Sequence, residues 1–397
     1  MVAPSNLHDA VDEIMPGVVA DRRDFHEHPE LGFQEFRTSG IVAERLRSLG
    51  LEEIATGIAG TGVTGLIHGK KGKGKVVLLR ADMDALPILE ENAVPYVSQN
   101  PGVMHACGHD AHTAILLAVC RLLMERRDEF AGSVKVLFQP AEELPPGGAK
   151  PMIDEGVLEH PHVDAVFGLH MAQDAKLGTV EVRVGPYMAA ADRFQVTIQG
   201  KGGHGASPHD TVDPIAVGAQ VVTALQNLVA RELKPIESGV VSVCAFIAGD
   251  AFNVIPDRAE LRGTVRTFTP ENRDYLERRI DELVSGIASA MRASATVSYT
   301  RGYPATINDG AMTEIVRQAA AEVVGQENVV DAEPMMGAED FSYFLEERPG
   351  SYFFVGSRNE DRGLVWGHHH PKFDIDEASM AIGIETMLRT TLKYLAS

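Results

Sequence analysis

The chain has 397 residues, 44% hydrophobic and 23% charged, a soluble globular balance with enough length for two or three domains and a sizeable core. Lys and Arg number 36 against 56 Asp and Glu, so the formal charge of −20 excludes phosphate backbones and anionic lipid as general partners and asks any anionic substrate to bring its charge to a local cation. No apolar run approaches the roughly eighteen residues a membrane span needs, and "MVAPSNLHDAVDEIM" lacks the basic cluster and apolar core of a signal peptide, so a cytoplasmic protein that engages neither membrane nor nucleic acid is expected.

In chain order, "VADRRDFHEHPELGFQEFRTSGIVAERLRSLG" reads as an amphipathic helix, a polar turn and a second helix ending at Gly50. Two β-rich runs follow, "GTGVTGLIHG" and "KVVLLRADMDALP". The lysines and glycines of "KKGKGK" between them read as a solvated hairpin rather than a nucleic-acid patch. "MHACGHDAHTA" then places a thiol and three imidazoles where the apolar helix "ILLAVCRLLM" begins. "SVKVLFQPAEE" and "VDAVFGLHM" are apolar strands that end in ionisable residues. Strand, helix, strand in this order predicts a mostly parallel sheet with helices on both faces, and such folds gather their sites at the carboxyl ends of strands. Asp82, Asp84, Glu142, Glu143 and His170 all lie at such ends.

Near residue 188 the pattern changes to period-two alternation in "DRFQVTIQG". A helix, two strands, a second helix and the strand "ATVSYTRGY" follow. Two helices on one face of an antiparallel sheet make an α+β unit of ferredoxin-like type, of about a hundred residues, the usual size of a small domain. The expected organisation is therefore an α/β domain of residues 1–187 and 302–397, divided by an inserted lid and dimerisation domain at 188–301. Gly185, Pro186, Gly302 and Pro304 mark hinges for a cleft that closes over substrate.

Of the three cysteines, Cys120 and Cys244 lie in apolar runs and read as small buried hydrophobes, while Cys107, flanked by His105, Gly108 and His109, does not. Cys-x-His, a Glu-Glu pair, a strand-end histidine and the "HHH" of "VWGHHHPKF" supply sulfur, nitrogen and oxygen ligands. At a strand end consecutive glutamates diverge, so one can ligate a metal while its neighbour faces water. The same Cys-x-His could instead be a thiol nucleophile beside its base. Co-occurrence favours metal, because so many ionisable groups would make a poor core unless an ion compensates them.

Together "RADMDALP", "MHACGHDAHTA", "FQPAEE", "GLHM", "GKGGHGASPH", "FNVIPDRAELRGTVRTF", "GAEDFSYF" and "HHHPKF" resemble the successive motifs of the aminoacylase and carboxypeptidase superfamily of dinuclear metallohydrolases. The match is best to its hippurate hydrolase and indole-acetyl-amino-acid hydrolase branch. The resemblance implies that Cys107, His109, Glu143, His170 and His369 hold two divalent ions, manganese or zinc, with cobalt or nickel as further candidates, and that the Cys107 thiolate bridges them. His369 is taken over His368 and His370 because the family histidine stands two residues before the proline, here Pro371. Asp82 stands where relatives outside the branch place a histidine ligand and is not counted as one; Asp84 is expected to orient the ligands.

The resemblance further implies Glu142 as general base, and His204 as oxyanion donor supplied by the partner subunit of a homodimer or higher homo-oligomer. Asn253 and Arg266 would hold the α-carboxylate of an N-acyl amino acid substrate, so the local cation is a guanidinium. The expected activity is metal-dependent hydrolysis of the amide of N-acyl amino acids, hippurate-like, N-acetyl or indole-acetyl. The competing readings are a dipeptidase or carboxypeptidase of the same superfamily, a metal-free thiol hydrolase built on Cys107, and a non-catalytic binding protein on the same fold.

Overall fold

Near-continuous apolar runs such as Val76–Asp82 and Ser133–Gln139 can be satisfied only where both faces of a sheet are covered. The computed structural model, which describes residues 7–397, places them at the centre of such a sheet. Residues 1–6, part of the stretch read for a signal peptide, lie outside the described residues. The chain divides into two compact units. One comprises Met1–Gly185, Ile307–Glu333 and Asp340–Ser397, the other Pro186–Thr306 and Pro334–Glu339.

The first unit is built on an eight-stranded sheet in the order Glu52–Ile58, Gly62–His68, Ser133–Gln139, Val76–Asp82, Ala165–Lys176, Gly350–Arg358, Val180–Val182, Val329–Asp331. Its four central strands, Ser133–Gln139, Val76–Asp82, Ala165–Lys176 and Gly350–Arg358, are parallel to one another. Alternation sends Val77, Leu79 and Ala81 with Phe353 and Val355 into one core, which they share with Ile115, Val119 and Leu123 of the His109–Glu125 helix and Ile384 and Leu388 of the Ala378–Ala396 helix. Each of these Val, Leu, Ile and Phe side chains stabilises the fold by roughly 1.5–3 kcal/mol when fully buried. Residues of opposite parity face the other way: Tyr352 stacks on Phe341, ring centroids 5.0 Å apart, beside the short Ser342–Glu347 helix.

The expected hairpin is not formed. The Gly62–His68 and Val76–Asp82 strands do not form a hairpin, because Ser133–Gln139 lies between them, antiparallel to the first and parallel to the second. The lysine-rich connection is solvated, but its glycines serve a different purpose. They let the loop backbone run against the start of Ser133–Gln139, with Gly69 N donating to Gly132 O at 2.9 Å and a Cβ on Gly74 falling 2.9 Å from Gly132 N.

The second unit holds a four-stranded antiparallel sheet in the order Gly239–Ile247, Arg258–Thr267, Ala190–Gln199, Ser294–Thr300. The Pro214–Asn227 and Pro270–Ala290 helices are crossovers, which gives the ferredoxin-like βαββαβ topology. Phe194, Val196 and Ile198 bury against Val217, Val221, Leu276, Ile280 and Val284. Cys244 is exposed, contrary to its apolar neighbourhood. It lies on the Gly239–Ile247 edge strand, whose register is interrupted between Val243 and Ala245 and which also leaves Phe246 and Ile247 in solvent. An apolar run therefore overstates burial at a sheet edge.

Candidate metal centre

Parallel strands deliver their last residues to one side of the sheet, and register fixes which ones meet. Asp82 pairs with Gln139, Arg80 pairs with Gly168, and His170 pairs with Phe354, so Asp82, the Gln139–Glu143 turn and His170 emerge together. Gly108, at φ 92°, turns the chain in the left-handed region immediately before the His109–Glu125 helix. A side chain there would be strained, and its Cβ would sit 3.4 Å from Met171 Cβ. The turn places Cys107 before the helix and His109 on its first position, both buried.

The ligand-type atoms of Cys107, His109 and His170 lie within 4.8 Å of one another, and so do those of Cys107, Glu143 and His369. A third group joins His109 to Glu142 and Glu143. Cys107 Sγ is 3.5 Å from His170 Nε2, and His369 Nε2 is 3.1 Å from Glu143 Oε1. Two of the imidazoles are oriented by the backbone. His109 Nδ1 donates to the carbonyl of Asp84 at 2.9 Å and His170 Nδ1 to that of Met171 at 2.7 Å, which turns each Nε2 inward. His369 adopts φ 64°, held there by its N–H donating to Ala106 O at 2.8 Å.

These residues fit divalent cations. His109 Nε2 is buried with no hydrogen-bond partner, its facing acid being Asp82 Oδ2 at 3.6 Å, so the ring turns inward a nitrogen whose polar capacity is unmet within the chain. The donor set of one sulfur, three ring nitrogens and carboxylate oxygens is that of zinc and its neighbours. Burial, reinforced by the Glu143 and Glu142 carboxylates, pushes the Cys107 thiol well up. A thiolate at this position therefore needs a positive partner, and burial pushes the adjacent His170 well down, toward its neutral form.

Neighbouring groups that look like ligands are engaged elsewhere. His112 donates from Nδ1 to Asp82 Oδ1 at 2.6 Å and accepts at Nε2 from Met171 N at 2.9 Å, so both nitrogens are used. Asp82 also takes Arg80 Nη1 at 2.5 Å; burial alone would raise its pKa, but Arg80, His109 and His112 hold it well below the usual range. Asp84 touches two of the metal-type residues, accepting His109 Nδ1 at its carbonyl and Glu143 N at Oδ2, 2.9 Å in each case. Among the three histidines, His369 faces Glu143 and Cys107, His368 lies near the Gln173 amide (3.3 Å) and is pushed down to about 3 by burial, and His370 stacks on Trp366 at 4.3 Å.

The remaining expected residues belong to the second unit. His204 and Asn253 are brought side by side, since Gly203–His204 pairs with Val254–Ile255 and Gly205 N donates to Asn253 O at 2.8 Å. Arg266, on Arg258–Thr267, is half-buried, with its guanidinium held by Thr264 Oγ1, Val265 O at 3.0 Å and Met336 O at 3.3 Å.

Sequence reading missed a buried lattice behind the centre. Arg80 reaches Gln139 Oε1, Asp82 Oδ2 and Asp340 Oδ1, and Asp340 in turn accepts from Gln139 Nε2 at 2.8 Å and Ala149 N at 3.0 Å. The signal available was an arginine inside an apolar strand, "VVLLRAD", which has no place there without acidic partners.

Peptidase family M20/M25/M40 matches this chain over residues 78–393. The chain belongs to that family. Among M20/M25/M40 relatives, thermostable carboxypeptidase 2 of Saccharolobus solfataricus is 42% identical over 98% of this chain and 98% of its own. IAA-amino acid hydrolase ILR1-like 4 of Arabidopsis thaliana is 41% identical over 95% of this chain and 86% of its own. A solved structure, the YXEP protein of Bacillus subtilis, described as a dinuclear metal-binding peptidase of the M20 family, superposes with a TM-score of 0.85 at 36% identity, covering 97% of this chain and 99% of that one. Membership makes the chain a hydrolase, which removes the non-catalytic reading. Among the described residues, no helix is long and apolar enough to cross a membrane.

Proposed function

We propose that this M20/M25/M40 hydrolase cleaves the amide bond of N-acyl amino acids, using two divalent cations held by Cys107, His109, His170, Glu143 and His369. The observation that carries the reading is the double membership of Cys107, whose sulfur belongs at once to a group with His109 and His170 and to another with Glu143 and His369. With two ions bound, Cys107 would contribute to both sets, and its thiolate would be stabilised by their charge. When bound, the cations acidify water and polarise the scissile carbonyl.

Glu142 takes the proton of the attacking water and returns it to the leaving nitrogen. His204 donates to the oxyanion that forms at the carbonyl, from the partner subunit of a homodimer. Asn253 and Arg266 grip the α-carboxylate, and the guanidinium offers two parallel donors that an overall acidic surface would not otherwise provide. Substitution of Arg266 by Lys is expected to raise KM about tenfold or more with kcat little changed, because a point charge replaces a planar fork. A KM equal to the parent's would remove Arg266 from the substrate site.

Metal addition supplies a check that needs no substrate. Manganese or zinc at about a hundredfold above its Kd is expected to stabilise the chelator-stripped protein by roughly 2.7 kcal/mol, a rise in Tm of about 3 °C. No rise with manganese, zinc, cobalt or nickel would empty the proposed centre. The decisive assay is a panel of acetyl, benzoyl and indole-acetyl amino acids beside N-blocked and free dipeptides, with each of those metals. Turnover confined to free dipeptides would replace the acyl-amino-acid reading by a peptidase one, which the name of the Saccharolobus relative supports.

A further inference from the structure

Ala141, the residue immediately before Glu142 and Glu143, lies at φ 53° in the left-handed region, where an alanine costs roughly fivefold or more in population. Something must hold it there, and it is fully buried. Its N–H donates to Glu35 Oε1 at 2.9 Å. Glu35 is itself fully buried and also accepts from Phe33 N at 3.0 Å and, through Oε2, from Thr61 Oγ1 at 2.5 Å.

Glu35 stands at the N-cap of the Phe36–Leu49 helix, where an acidic side chain would ordinarily cap the free amides of its own first turn. It makes no such bond. That task falls to Glu30, which accepts from Arg37 N at 2.9 Å, Thr38 N at 2.8 Å and Thr38 Oγ1 at 2.9 Å. The Glu35 carboxylate is therefore released from helix capping and committed to Ala141. The same loop touches the turn a second time: a Cβ on Gly32 would lie 3.0 Å from Ala141 Cβ and 3.4 Å from Leu144 Cβ, so any larger residue there would crowd the turn.

We propose that Glu35 is a positioning residue for the reaction, its carboxylate pinning Ala141 in the left-handed conformation that aims Glu142 and Glu143. The inference rests on the roles given to those two glutamates above. Glu35 touches neither substrate nor metal; it acts through one backbone amide. In Glu35→Gln the oxygen shared by Phe33 N and Ala141 N becomes a neutral amide acceptor and the new NH2 group faces only Thr61 Oγ1, so loss of the carboxylate charge weakens the pin, the Ala141 backbone relaxes toward φ below zero and the glutamates turn away.

The test is a rescue. Glu35→Gln is expected to lower kcat about tenfold with KM within about twofold of the parent, since base alignment matters in the transition state. Glycine adopts positive φ without a pin, so Ala141→Gly alone should leave kcat within about twofold, and the E35Q/A141G double variant should return to within about threefold of the parent. A role in overall stability would not be restored by a glycine at 141.

Parental kcat in E35Q, or a loss that A141G does not restore, overturns the proposal. Should E35Q fail to fold, Glu35→Asp, which keeps the charge but shortens the reach, is read by the same loss and the same rescue. Glu142→Gln measured alongside separates the two ideas. If that variant stays active, the assignment of the base fails; if it is inactive while E35Q is parental, only the pin fails.

Discussion

Glu142→Gln is expected to lower kcat by about three orders of magnitude while the protein keeps its full complement of metal. The substitution is isosteric, so packing around this buried residue is preserved and only the ability to accept a proton is lost. Its neighbour predicts a different signature. Glu143 lies in a ligand group with Cys107 and His369, and its amide is fixed on Asp84 Oδ2, so Glu143→Gln should lose metal and activity together. The pair of variants thus reads the two glutamates separately, by metal content as well as rate. An E142Q protein that turns over N-acyl amino acids as fast as the parent would place the base elsewhere, and one that also loses its metal would make Glu142 a ligand.

That two adjacent glutamates can divide these tasks follows from the backbone between strand and loop. Ser133–Gln139 ends, Pro140 stops the ladder, and the left-handed Ala141 reverses the direction in which the next side chains leave. The sequence "FQPAEE" discloses the residue types and the end of the strand. It does not disclose the sign of φ at Ala141, which depends on Glu35, a residue more than a hundred positions earlier in the chain. Long-range partners of this kind have no local signature.

The same distinction runs through the rest of the molecule. Parallel strands send their ends to one side, which made Asp82, Glu142, Glu143 and His170 legible as neighbours, whereas the expected ligand set with Cys107, His109 and His369 came from the family resemblance. The order of strands was not legible. Adjacency in sequence made a hairpin of Gly62–His68 and Val76–Asp82, whereas the strand that separates them arrives only after a full helix. Cys244 failed for a related reason: hydrophobicity reports that a segment is a strand, not whether another strand covers its outer side. Arg80 was passed over although a guanidinium within an apolar run demands the carboxylates that Asp82 and Asp340 provide.

Cys107→Ala is expected to abolish activity and to weaken binding of both metals, because it removes the donor common to the group with His109 and His170 and the group with Glu143 and His369. By contrast, Cys107→Asp should retain metal and a measurable fraction of turnover. A carboxylate can bridge two cations with its two oxygens, and it is negatively charged at neutral pH without the help that the buried thiol needs. The shorter reach of oxygen and its harder character should shift preference from zinc toward manganese. This comparison also decides against the thiol hydrolase in a way that chelation alone does not, since aspartate has no sulfur with which to form a thioester. Activity in C107D that follows added manganese means that the residue works as a ligand; complete loss in C107D with metals still bound would return the sulfur itself to the reaction.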